Sequence, residues 1–243
     1  MALGYARKIL AKNKLNMILA GGMEAPVTPY ALLCCNTYGT LSKNNAHPSA
    51  AYRPFDQDRS GFVIGEGAGI VVMESIGRAQ IRGANILGVI SGYGTSCDGV
   101  DRINCASDGE ELARAIKLAL ADAQVNPEEI GYISLDGLAV ELWDNSEIKA
   151  LKLVFGDNLK NIPLSCPKSM FGNLLGASGV LDMISALLTM EHGLVAPTIN
   201  LEKPVLNNLN YVAKEAKEYK VNKSLIISRG RGGINSVLVV EKP

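Results

Sequence analysis

The chain has 243 residues, of which 47% are hydrophobic and 20% charged, and its 24 basic and 24 acidic side chains cancel. That length can bury a sizeable core as one large domain or two small ones, and the balanced charge leaves no electrostatic footprint for nucleic acid or an anionic membrane surface. A small molecule or a protein is the partner such a composition suits.

Five cysteines, Cys34, Cys35, Cys97, Cys105 and Cys166, form no CxxC pair, and His47 and His192 are far apart in the chain, so no metal site is expected. Adjacent Cys34 and Cys35 read as small apolar residues in a packed helix or loop rather than as a redox pair. No apolar run approaches the roughly 18 residues of a membrane span, and the longest, VLDMISALLTM, is interrupted by Asp182. The N-terminus has no basic head leading into an apolar signal core, so a cytoplasmic location is expected.

In chain order, residues 1–12 are helix-like, 16–20 form a short apolar strand, and GGMEAPVTP is a turn-rich exit. Residues 30–60 read as largely loop. Residues 62–74, FVIGEGAGIVVME, suit buried strands joined by a glycine-rich turn. A strand is expected over 86–93, and Asp108, three residues before Glu111, opens a helix to about Ala123 in the manner of a capping box. Pro127 closes that unit. Strand over 132–135, helix over 145–155, strand over 162–165 and helix over 178–191 follow, and 224–228 pairs with 236–240 as closing strands. This alternation implies an α/β fold with helices covering a mainly parallel or mixed sheet.

Two segments carry the chemistry. SCPKSMFGNLLGASGV at 165–180 and YISLDGLAV at 132–140 resemble the two active-site segments of β-ketoacyl-carrier-protein synthases, with Asn173 and Asp136 where that family has histidines. RPFDQDRSGFVIGEGAGIVVME, HGLVAPTINLEKP and SRGRGGINSVLVV resemble further blocks of the family in the same order. A lone GEGAG would be weak evidence, because glycine-rich turns serve packing as often as phosphate binding. The resemblance implies the thiolase-like fold: two similar βαβαβαββ halves stacked in alternating helix and sheet layers. This chain resembles the complete C-terminal half, residues 85–243, and only the last part of the N-terminal half, residues 1–84, so its first sheet is not completed by its own residues. The nucleophilic cysteine of the family would fall a few positions upstream of Met1.

By that resemblance the family's cysteine takes an acyl chain from phosphopantetheine on an acyl carrier protein, and its histidines promote decarboxylation and stabilise the resulting anion. No other cofactor is implied. Asp136 presents the wrong sign to a developing anion, and Asn173 can donate a hydrogen bond but cannot shuttle a proton. Lys168 matches the family's lysine and is left a structural role. Arg229, Gly230 and Arg231 lie in the loop where the family carries phenylalanines that gate entry. The expectation is that Arg229 or Arg231 pairs with Asp136 or reaches a carrier-protein phosphate or acidic helix, the bland alternative being arginines that face solvent. Val180, Leu187 and Leu188, at helical spacing, read as core.

The chain thus resembles non-catalytic ketosynthase homologues, the chain length factors of type II polyketide synthases. The implied partners are a catalytic ketosynthase subunit, forming a heterodimer, an acyl carrier protein and a polyketide intermediate, with aromatic products one plausible class. Ala31, Leu32, Cys34 and Cys35 are implied as tunnel-lining residues. Two alternatives stay open: a scaffolding subunit of a polyene or fatty-acid-like pathway, and a fragment of an active β-ketoacyl synthase.

Overall fold

A computed structural model describes residues 1–12 and 15–243. The elements are α1 (Ala2–Ala11), β1 (Met17–Glu24), α2 (Pro29–Thr37), β2 (Gly67–Glu74), α3 (Ile76–Ile81), β3 (Val89–Cys97), α4 (Glu110–Ala123), β4 (Tyr132–Ser134), α5 (Glu141–Phe155), β5 (Leu164–Ser165), α6 (Lys168–Phe171), α7 (Ser178–His192), β6 (Leu194–Val195), β7 (Lys217–Glu218), β8 (Lys223–Gly230) and β9 (Ile234–Glu241).

Five strands form the main sheet in the order β3-β9-β8-β4-β5, with β4 parallel to both neighbours and β9 antiparallel to β3 and β8. The period-2 alternation of a strand explains how this sheet holds two cores at once. Leu225, Ile227, Val237 and Val239 face a cluster with α4 and α5, whereas Ile226, Leu238 and Val240 face a cluster that includes Val180, Met183 and Ala186 of α7. Strands covered on both faces read as continuous apolar runs, as LIIS and SVLVV do.

A two-stranded antiparallel ribbon, β1 with β2, lies on the far side of α7. Ile18, Ala20, Val71 and Met73 point inward to the second cluster. The outward side chains are also apolar: Leu19 is 69% exposed, Met23 78%, Ile70 67% and Val72 57%. Below the main sheet β6 and β7 form a short antiparallel pair.

Several expectations need correction. Residues 30–60 are not loop throughout, because α2 starts at Pro29, is capped by Thr28 Oγ1, which accepts from Ala31 N at 3.3 Å, and buries only Cys35. With no apolar stripe, it carries no helical signal. GGMEAPVTP is not an exit turn from its first residue, since β1 runs on to Glu24; Gly21 is required inside the strand because a Cβ there would strike the carbonyl of Gly69 on β2. The apolar segment 62–74 is strand only from Gly67, and Phe62 and Ile64 make isolated bridges to Leu41 and Asn173. No capping box opens α4. Gly109 is its left-handed N-cap, and Asp108 Oδ1 accepts from Glu110 N at 3.0 Å. The capping box lies at Asn126 and Glu129, beside Pro127.

Leu225 is wholly enclosed between β4, β9 and the helices of the first cluster. Leu225→Ala should cost about 2–5 kcal/mol, the ordinary penalty for an enclosed leucine, read as a fall in the urea unfolding midpoint at unchanged slope.

Candidate functional site

Asp136 stands on the loop that leaves β4 for α5. Two acids three residues apart at the start of α5 hold that loop, because residues at that spacing share one face of a helix. Glu147 Oε1 accepts from Asp136 N at 2.7 Å and its Oε2 from Gly137 N at 3.0 Å. Asp144 accepts from Ala139 N at 3.0 Å and from Phe55 N at 2.9 Å. Gly137 has φ of +52° and a Cβ would sit 2.6 Å from Cys166 Sγ, so both conformation and space demand glycine there. Tyr52 adds a hydroxyl that donates to the carbonyl of Gly137 at 2.8 Å. Asp144 and Glu147 escaped the sequence reading. Their signal was present as two acids in the WDNSE segment, on a helix that buries most of its residues.

Lys168 opens α6 and is fully buried. Its ammonium lies 3.1 Å from Asp136 Oδ1, 3.0 Å from the Asp136 carbonyl and 2.9 Å from Asp182 Oδ2 on α7. A lysine ammonium has three donors, and these three oxygens surround it. Burial opposes the lysine charge, but the carboxylates of Asp136 and Asp182 outweigh it and hold the pKa of Lys168 above its ordinary value. One cation facing two anions leaves a net negative charge in the interior. Burial accordingly pushes Asp182 up to about 6 in spite of Lys168, with Asp136 adding to the rise. Burial raises Asp144 to about 7, and Glu147 is raised by burial and then by Asp136.

Asn173 follows α6, and its backbone bridges to Val63 and Gly65. Its side-chain Oδ1 accepts from Leu175 N at 2.9 Å and from Ser178 Oγ at 3.1 Å, which leaves Nδ2 without a partner among the described residues. Cys166 lies below Asp136, its Sγ 3.7 Å from that carbonyl, and burial pushes its thiol well up, so it is packing material rather than a nucleophile.

The expected pairing of Arg229 with Asp136 through charge is not observed. Only the backbone N–H of Arg229 donates to Asp136 Oδ1, at 3.1 Å. Its guanidinium turns to Asn235 Oδ1 at 3.1 Å, the Trp143 carbonyl at 3.1 Å and Asp98 at 3.7 Å, and lies over the Trp143 ring. Lys168 already occupies the position facing Asp136. Arg231, on the turn after Gly230, does not reach Asp136 either; its guanidinium stacks 4.1 Å above Tyr38, with Nη2 3.5 Å from Cys35 Sγ.

Asp136, Asn173, Arg229, Gly230, Arg231 and Cys35 come together around one cavity of about 540 Å³, walled by Phe62, Leu138, Leu175, Val180, Ile226 and Leu238 among others. Ala31, Leu32 and Cys34 are not part of its lining, because α2 is a helix and turns only Cys35 fully inward. Val180 belongs to the core and borders the cavity, Leu187 packs on the second cluster, and Leu188 is exposed rather than core. Among the described residues no three His, Cys, Asp or Glu side chains gather as a metal site requires, and no helix is long and apolar enough to cross a membrane.

This fold and this pair of loops have counterparts among known proteins. The chain matches Beta-ketoacyl synthase, N-terminal domain, over residues 1–79 and Beta-ketoacyl synthase, C-terminal domain, over residues 87–202. It belongs to the β-ketoacyl synthase family, with the thiolase-like fold. Among its relatives, 3-oxoacyl-[acyl-carrier-protein] synthase 2 of Staphylococcus aureus (strain COL) is 39% identical across 99% of this chain and 58% of the relative. The tetracenomycin polyketide synthase ketoacyl synthase alpha subunit of Streptomyces glaucescens is 34% identical across 100% of this chain and 57% of its own length. Of solved structures, a type II polyketide synthase acyl-carrier protein complex with its ketosynthase bound to the hexaketide superposes with a TM-score of 0.96 at 34% identity, over 99% of this chain and 60% of that one. The ishigamide ketosynthase/chain length factor gives 0.91 at 34% identity, over 100% and 58%. The chain therefore spans rather more than half the length of the proteins it resembles.

A carboxylate whose folded pKa exceeds its unfolded value binds its proton more tightly in the folded state, so the stability it supports is present below the unfolded pKa and lost as pH rises through the folded one. For Asp182 that window runs from 3.8 to about 6. Unfolding midpoints measured across this window should fall as pH rises, and Asp182→Asn, which keeps an oxygen for Lys168, should flatten that part of the slope.

Proposed function

We propose that this chain is a non-catalytic ketosynthase homologue, a chain length factor that pairs with an intact ketosynthase subunit in a type II polyketide synthase of aromatic products. One observation carries the reading. The two loops that bear histidines in the family bear Asp136 and Asn173 here, and the cation beside them, Lys168, is enclosed by Asp136 and Asp182. Lys168 hydrogen-bonds to Asp136 and pairs with Asp182, and neither Lys168 nor Asp182 borders the cavity where a substrate would lie. An unshielded carboxylate about 4 Å from a developing anion would raise a barrier by about 4 kcal/mol at an effective dielectric near 20, roughly a thousandfold in rate. Lys168 cancels that repulsion, but only by spending its own donors. Asn173 retains an amide N–H, which can orient a carbonyl yet cannot return a proton near neutrality.

In this reading the acyl chain is carried on phosphopantetheine of an acyl carrier protein, the ketosynthase partner supplies the nucleophile, and residues 1–84 belong to the N-terminal and 85–243 to the C-terminal thiolase-like half. The apolar outer face of the β1–β2 ribbon supports assembly, since exposed contiguous apolar surface marks an interface. The 39% identity to a 3-oxoacyl-[acyl-carrier-protein] synthase favours a second reading, in which the sequence is part of an active condensing enzyme.

Co-purification and acyl loading test the non-catalytic reading. The chain should co-purify with a ketosynthase subunit, and mass spectrometry after incubation with acyl or malonyl carrier protein should place all covalent acyl groups on that subunit. Stoichiometric acylation at Cys34, Cys35 or Cys166 would defeat the non-catalytic reading.

Length control has its own test. Cys35 is 5% exposed and borders the cavity, so Cys35→Phe fills space that a close-packed interior cannot restore by expanding. Products of the reconstituted complex should become shorter while the heterodimer persists.

A further inference from the structure

The charges around the cavity are not balanced alike. Asp136 is engaged by Lys168, and the guanidinium of Arg229 is taken up by Asp98, Asn235 and Trp143. Arg231 forms no ion pair with any described residue; its only side-chain partners are the Tyr38 ring and the Cys35 thiol. Stacking occupies one face of a guanidinium and leaves its in-plane N–H groups available. Two further polar groups on the same lining lack partners among the described residues: Asn173 Nδ2, on a side chain only 6% exposed, and the buried Thr40 Oγ1.

From this arrangement we propose that the cavity takes an amphipathic carboxylate, with the acid on Arg231 and the hydrocarbon along the wall of Phe62, Leu138, Leu175, Ile226 and Leu238. The proposal rests on reading the chain as a subunit that holds its ligand without covalent attachment. A planar guanidinium fork matches a carboxylate two bonds to two, and one cation neutralises a monoanion while leaving a phosphate dianion half compensated. The volume of about 540 Å³ lies in the ordinary range for a small-molecule site, and a mostly apolar wall with a few converging polar groups is the usual makeup of one. Arg231 is thus a specificity-determining residue: it selects ligands that carry a free acid over neutral chains of the same length.

The test uses photoreactive diazirine analogues of decanoate and decanol with the purified chain, alone and in its ketosynthase complex, and maps the labelled peptides. Decanoate should label residues 29–42 and 229–236 and be competed by free decanoate roughly tenfold better than by decanol, as a charge-assisted hydrogen bond requires. Arg231→Gln should abolish that preference while labelling by the decanol analogue persists, and Arg231→Lys should keep part of it. Arg231 is exposed at a turn, so neither variant removes core packing, and their circular dichroism should match that of the parent chain. Equal competition by acid and alcohol, an unchanged preference in Arg231→Gln, or no label on these peptides overturns the proposal. No label with the heterodimer intact sinks this site alone. Label on these peptides without any ketosynthase complex supports the site and sinks the subunit reading alone.

Discussion

The buried ammonium of Lys168 is the constraint around which the second half of this protein is arranged. A cation without solvent must be met by oxygens, and these come from two separate places: the carboxylate and carbonyl of Asp136 after β4, and the carboxylate of Asp182 on α7. Lys168 follows β5, so the cluster ties the ends of two adjacent strands to the helix between the main sheet and the ribbon. Removing Lys168 would strand both carboxylates as uncompensated buried charges, a larger loss than the cluster's net stabilisation. The loop of Asp136 is secured again from behind by Glu147, Asp144 and Tyr52, each of which bonds to the loop's backbone, Asp144 being paired as well with Arg59.

That arrangement sets the chemistry the cavity can support. Proton transfer needs a group that can both give and take near neutrality at the cavity wall; Lys168 is held charged, and Asp182 and Asp144, which burial raises, do not line the cavity. Cys166 is enclosed and its thiol is raised by burial, so the one cysteine beside the cluster is the least reactive kind. What remains open to the cavity is a set of hydrogen-bond donors, Asn173, Thr40 and Arg231, set in apolar surroundings. Such a lining binds and orients.

The two hairpins make a second contrast. β8 and β9 lie inside a five-stranded sheet, flanked by β4 on one side and by the edge strand β3 on the other, with apolar side chains covered on both faces. β1 and β2 pack on the same helix, α7, yet pair only with each other among the described residues, and their outer face is as apolar as a buried one. Surface of that kind is a cost to a chain in water, and burying it releases about 25 cal/mol for each Å² removed.

Local pattern carried much of the architecture. The apolar runs LIIS and SVLVV marked the closing pair of strands, helical spacing marked Val180 of the seventh helix as core while misplacing Leu188, and the ordered sequence blocks marked the family and the loops of Asp136 and Asn173. What local pattern did not carry was decided by contacts between distant segments. α2 has no apolar stripe, so only its cap and the single buried Cys35 make it a helix of the fold. Gly21 looked like the end of a strand, but it is a strand residue because β2 passes too close for a side chain. The choice of partner for Asp136 was a competition among three cations with similar charge, and sequence spacing does not rank them. Tertiary structure does: Lys168 is delivered to the carboxylate by a strand adjacent to its own, while Arg229 points its guanidinium across the hairpin to Asp98 and Arg231 lies beyond the turn on Tyr38.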